Sequence, residues 1–139
     1  MTQTTNIHAH GVLQSQSQDL EGKHVIIMTV PETSYELHLE TIKPLETEPG
    51  KRLAGTIRVN ARRVDQVETG GRYIEPVYGR PRRVQGRVLA IHAESNAITV
   101  NAGVPIELKL NKLQKANDFQ EGDFVSCDVL PGATFTSQM

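Results

Sequence analysis

The arginines are the side chains whose type and spacing point most directly to chemistry. All nine lie between Arg52 and Arg87. Residues 51–87 hold ten of the fifteen basic side chains against three acids, Asp65, Glu68 and Glu75, and so carry +7. The remainder sets thirteen acids against five lysines and carries −8, so the net charge of −1 hides a strongly polar molecule. A guanidinium is planar, permanently charged and forked, which suits it to phosphates and carboxylates. Alternation puts Arg52, Arg58 and Arg62 on one face of a strand over residues 52–62, opposite Leu53, Ile57 and Val59. Arg83 and Arg87 share a face of a second strand, opposite Val84 and Val88. Arg72 opens an extended segment beside Tyr73, and Arg80 and Arg82 bracket a Gly-Arg-Pro-Arg loop.

If those strands lie side by side, Arg52, Arg58, Arg62, Arg72, Tyr73, Arg82, Arg83 and Arg87 form one basic face with an aromatic platform. Such faces bind single strands: cations track the phosphates and each stacked base adds about 1–3 kcal/mol. Single-stranded nucleic acid or another polyanion is the expected partner. The acidic remainder of the chain is an equal match for the same charges. A homo-oligomer or a protein partner, held by complementary patches, is therefore the alternative expectation.

Catalytic chemistry finds less support. Cys127 alternates with Val125 and Val129 and reads as a small buried hydrophobe. His24, His38 and His92 occur singly, with no nucleophile elbow, phosphate loop or Cys-x-x-Cys pair. The Glu36, His38, Glu40 face reads as a solvated strand face, and His8 and His10 sit in polar sequence without further metal ligands. A non-catalytic module with no cofactor and no metal is expected. A single cysteine excludes an intrachain disulfide and fits a reducing compartment. The N-terminal sequence has no signal-like apolar run, and no segment has the length of a membrane span. The expected location is cytoplasmic.

The elements that must position these residues are strands. With no Trp and only six aromatic residues, the core has to be built from Val, Ile and Leu. HVIIMTV stops at Pro31, and SYELHLETI alternates with Tyr35, Leu37 and Leu39 inward. RYIEPV reads as an edge strand because Pro76 cannot donate to a ladder. VPIELKL and EGDFVSCDVL read as later strands. NKLQKANDF is the one predicted helix, with Asn111 as its cap and Leu113 and Ala116 inward. Residues 1–19 are rich in Thr, Gln, Ser and Asn and read as a flexible tail, residues 20–132 as the β domain, and 133–139 as a short tail.

Two internal similarities suggest duplication. KRLAGTI (51–57) matches RRVQGRV (82–88), and EGKHVIIMTVP (21–31) matches EGDFVSCDVLP (121–131). They divide the domain into possible units 21–79 and 80–132. The C-terminal order of glycine-containing strand, two strands, short helix and strand resembles the OB fold, a partly open five-stranded barrel. That resemblance implies a fifth strand from the N-terminal half or from a partner, and a strand face able to bind oligonucleotides. The RxxxR spacing at Arg58–Arg62 and Arg83–Arg87 resembles the arginine motif of PilZ domains, β-barrels that bind cyclic di-GMP. Their accompanying (D/N)xSxxG is missing after both pairs, so that ligand is not expected. The predicted fold is all-β: a small OB-like or related barrel, in one unit or two repeated units, with one short helix.

Overall fold

A computed structural model describes residues 7–138. The protein is all-β, and its strands join in one continuous hydrogen-bonded sheet. Five strands close into a mixed barrel. These are β1 (Ala9–Gln18), β2 (His24–Thr29), β3 (Glu36–Thr41), β4 (Arg52–Asn60) and, from the far end of the chain, β12 (Thr134–Ser137). β1, β2 and β3 form an antiparallel meander, β12 runs parallel to β3, and β4 closes the ring by pairing with both β12 and β1.

The intervening strands are β5 (Asp65–Gln66), β6 (Tyr73–Glu75), β7 (Tyr78–Gly79), β8 (Arg83–His92), β9 (Ala97–Asn101), β10 (Pro105–Lys109) and β11 (Phe124–Asp128). β8, β9 and β10 form a second antiparallel meander, and β10 runs parallel to the end of β4. β11 pairs with β8 and returns to β4 through an Ala61–Val129 bridge. Arg62 N–H donating to Asp128 (2.9 Å) and Leu130 N–H donating to Asn60 (2.8 Å) flank that bridge. The long β4 thus serves both sets of strands. Alternation accounts for the shared core: Leu53, Ile57 and Val59 of β4, Leu37 and Leu39 of β3, and Ile106 and Leu108 of β10 are all buried.

Residues 9–18 are not a flexible tail. They form β1, hydrogen-bonded on both edges, with Ala9 and Leu13 buried. Serines and glutamines hid the strand because they occupy its outer face. Gln16 anchors it further: its amide oxygen accepts Leu45 N–H (2.9 Å), its amide nitrogen donates to Leu45 C=O (3.0 Å), and it meets the His24 ring (2.7 Å). Residues 1–6 of the expected tail lie outside the described residues.

The expected helix is also absent. Only Ala116–Asp118 make a 3-10 turn. Asn111 folds back to accept Leu113 N–H (2.8 Å), and Gln114 spends its amide on Val64, bonding both its N–H and its C=O at 2.8 Å. Lys115 is extended, which stops any helix from running through, and Leu113 is fully exposed rather than inward. Ala116 is buried as expected.

The two meanders correspond strand by strand, β1 to β8 through β4 to β11. Gly11 of β1 is followed by a register shift between Leu13 and Ser15, and Gly86 of β8 by one between Val88 and Ala90. KRLAGTI and RRVQGRV lie on β4 and β8, which hold different places in this correspondence. A unit that begins at residue 21 also omits the first strand. Among the described residues, no helix is long and apolar enough to cross a membrane.

Candidate anion-binding cleft

The arginine-bearing strands are not neighbours. β10 and β9 lie between β4 and β8, so no continuous face joins Arg58 to Arg87. Arg58 Nε instead donates to Glu107 Oε2 across the parallel β4/β10 pair at 2.7 Å. Arg87 caps the Phe124 ring, 5.2 Å from its centroid, and donates to the Gly122 carbonyl at 2.9 Å. Arg52 is exposed at the start of β4, and Arg72 is exposed just before β6. Arg63, which sequence reasoning did not select, pairs with Asp65 at 2.8 Å.

What the fold does gather is the other end of β4 and the loop before β8. Arg62, Arg80, Arg82 and Arg83 line one cleft of about 1070 Å³, with Glu75 and Asp128 as its only acids. The backbone fixes two of them on either side of the end of β11. Arg62 donates its N–H to Asp128, whereas Arg82 accepts from Val129 N–H (2.9 Å) and donates to Glu75 C=O (2.8 Å). No hydrogen bond or ion pair of either guanidinium is seen among the described residues. Pro76, Pro81 and Pro131, with Val77 and Val129, supply stiff apolar walls.

The other two cleft arginines are committed. Arg83 donates to Asp128 Oδ1 (2.7 Å), Ser126 Oγ (2.8 Å) and the Tyr73 hydroxyl (3.3 Å). The Tyr73 hydrogen bond and then the Asp128 carboxylate raise its pKa still further, so its charge is permanent. The Tyr73 hydroxyl in turn donates to Gln85 Oε1 at 3.2 Å, so it bridges Arg83 and Gln85. Arg80 reaches Glu40 (2.7 Å) on β3 and Asp19 (3.1 Å) in the turn after β1. Backbone N–H donation from Lys23, with Arg80 contributing, holds the Asp19 carboxyl below its ordinary range. Known families, curated proteins and solved structures offer no match to this chain.

Of the eight residues singled out from sequence, the cleft contains Arg62, Arg82 and Arg83, and Tyr73 stands behind Arg83. Arg52, Arg58, Arg72 and Arg87 lie outside its lining. Arg80 was placed in a loop but not among the binding residues. The signal that could have found it is the run Gly-Arg-Pro-Arg-Arg at 79–83, where a stiff proline holds cations apart.

The remaining reactive side chains do not converge on the cleft. Cys127 is buried, and burial above all pushes its thiol up to about 12. His92 Nε2 is hydrogen-bonded to Thr99 Oγ1 at 2.7 Å. His38 packs edge-on against Tyr78, with ring centroids 4.8 Å apart. Among the described residues, no group of three or more His, Cys, Asp or Glu is arranged to hold a metal ion.

Proposed function

We propose that this chain is a non-catalytic binding module whose cleft seats a phosphate-bearing polyanion, single-stranded nucleic acid first, between Arg62 and Arg82. The observation that carries the reading is the pair of unspent guanidiniums in a concave site whose walls are otherwise apolar and stiff. Four cations against two acids leave the cleft positive overall. Low-dielectric walls concentrate that field.

The strand order supports an OB-like reading of both meanders. In the C-terminal set, β8, β9 and β10 are followed by the 3-10 turn and β11, and β4 runs parallel to β10 as the fifth strand. In the N-terminal set β12 takes that fifth place beside β3. OB barrels commonly bind oligonucleotides, although fold alone does not decide function.

A second reading is assembly with another copy or a protein partner. Arg58, Arg63, Arg80 and Arg83 are already matched by the chain's own acids and so are not free for phosphate. Leu20 and Ile42, both fully exposed, lie at the same end of the five-stranded barrel and offer apolar contact to a partner. Fluorescence anisotropy with a labelled single-stranded oligonucleotide, beside sedimentation of the free protein, separates the readings. Binding that weakens as salt rises and is lost in Arg62→Ala/Arg82→Ala supports the first. A stable oligomer that binds no oligonucleotide at low salt supports the second.

A further inference from the structure

We infer that the cleft reads the phosphate backbone of a single strand and is blind to its bases. This rests on the polyanion reading above and narrows it.

Proteins that seat bases stack them on aromatic rings. None of the six aromatic residues lines the cleft. Phe119 and Phe135 are in the core, and Tyr35 is buried with its hydroxyl donating to Ala102 C=O at 2.8 Å. Phe124 lies under Arg87, and the Tyr73 hydroxyl is held between Arg83 and Gln85. The Tyr78 ring is exposed, meets His38 edge-on and lies outside the cleft lining. Hydrogen-bonding groups for base edges are equally scarce. The prolines have no N–H, and Asp128 Oδ1 is taken by Arg83. The Glu75 carboxylate and Asp128 Oδ2 remain, and they repel phosphate rather than attracting it.

The cleft guanidiniums without a partner among the described residues are therefore those of Arg62 and Arg82, which suit phosphate oxygens. Two cations imply two neutralised phosphates. For a single strand each neutralised phosphate contributes about −0.7 to the slope of log affinity against log salt concentration, so the slope should be about −1.4. Engagement of all four cleft arginines would double it to about −2.8.

The test titrates the full chain with labelled oligothymidylate and with an abasic phosphodiester strand of equal length, from about 50 to 200 mM salt. Equal affinity for the two strands within about twofold, and the shallower slope, are expected. Arg62→Ala alone should reduce the slope by about half, with an unchanged melting temperature showing that the fold is intact. A preference for oligothymidylate of tenfold or more overturns the inference and leaves polyanion binding standing, whereas a slope that survives Arg62→Ala/Arg82→Ala overturns both, because the strand is then held elsewhere. Failure of both strands to bind at the lowest salt overturns the inference and the polyanion reading together. The protein-partner reading then takes its place.

Discussion

Arg80 Nη1 lies 2.7 Å from Glu40 Oε2, while Nη2 of the same guanidinium lies 3.1 Å from Asp19 Oδ2. One side chain thereby ties the loop that walls the cleft to the turn after β1 and to β3. The loop is otherwise held there by the short β3/β7 pairing and by Glu36 N–H donating to Val77 C=O at 2.7 Å. Arg80→Ala should cost about 1 kcal/mol, because the pair is partly exposed, and lower the melting temperature by about 4 °C. Arg80→Lys should restore only part of this, since an ammonium cannot serve both carboxylates with a rigid fork. Thermal unfolding of the two variants checks both statements.

Gly55 and Gly86 sit where strands cross so closely that no Cβ fits. A Cβ on Gly55 would lie 2.1 Å from the Thr136 carbonyl oxygen, and one on Gly86 would lie 2.1 Å from that of Asn101. Both obstacles are backbone, so neither can swing aside. Gly55→Ala and Gly86→Ala should each cost about 3 kcal/mol or more, or prevent folding. Gly71 has open space around its Cβ direction, and Gly71→Ala should change stability by less than about 1 kcal/mol. Urea midpoints of the three variants test the contrast.

These glycines also mark how far the fold could be read in advance. Strands 36–41 and 105–109 were legible because one face of each is apolar and the other polar. β1 was not, because only Ala9 and Leu13 mark its inner face and the long polar run around them matches the composition of a tail. The helix over 111–118 failed because Asn111 and Gln114 direct their side chains to backbone groups. The cleft was half legible. Local sequence showed which side chains carry charge, but long-range pairing decides which guanidiniums are spent. Glu107 lies 49 positions from Arg58, and Asp128 lies 45 from Arg83. Neither partnership leaves a local trace.

His38 makes stability depend on pH. Burial, with the charge of Arg80 adding to it and Glu36 opposing, holds its pKa below the ordinary 6.5. The unfolded chain therefore takes up this proton more readily than the folded one. The contribution from keeping the ring neutral is complete above pH 6.5 and is lost as pH falls toward the lower folded value. Melting temperatures measured between about pH 7 and 5 should decline less steeply in His38→Gln than in the parent. Parallel profiles would show that His38 does not carry this dependence.

Glu75 is an exposed carboxylate in a cleft that is positive overall, and none of its side-chain atoms is paired among the described residues. Glu75→Gln should tighten oligonucleotide binding by up to about fivefold, the effect of removing roughly 1 kcal/mol of like-charge repulsion. The gain should shrink as salt rises. Weaker binding in the variant would mean that the carboxylate faces the ligand as an acceptor.

The most direct measurement compares two double variants by oligonucleotide anisotropy at low salt. Arg62→Ala/Arg82→Ala removes the unspent cleft pair, and Arg52→Ala/Arg72→Ala removes the same charge from exposed positions outside it. Loss of binding by about tenfold or more in the first, with less than about threefold in the second, is the expected result. Equal losses in the two would mean that net charge alone governs binding, and would contradict a specific site between Arg62 and Arg82.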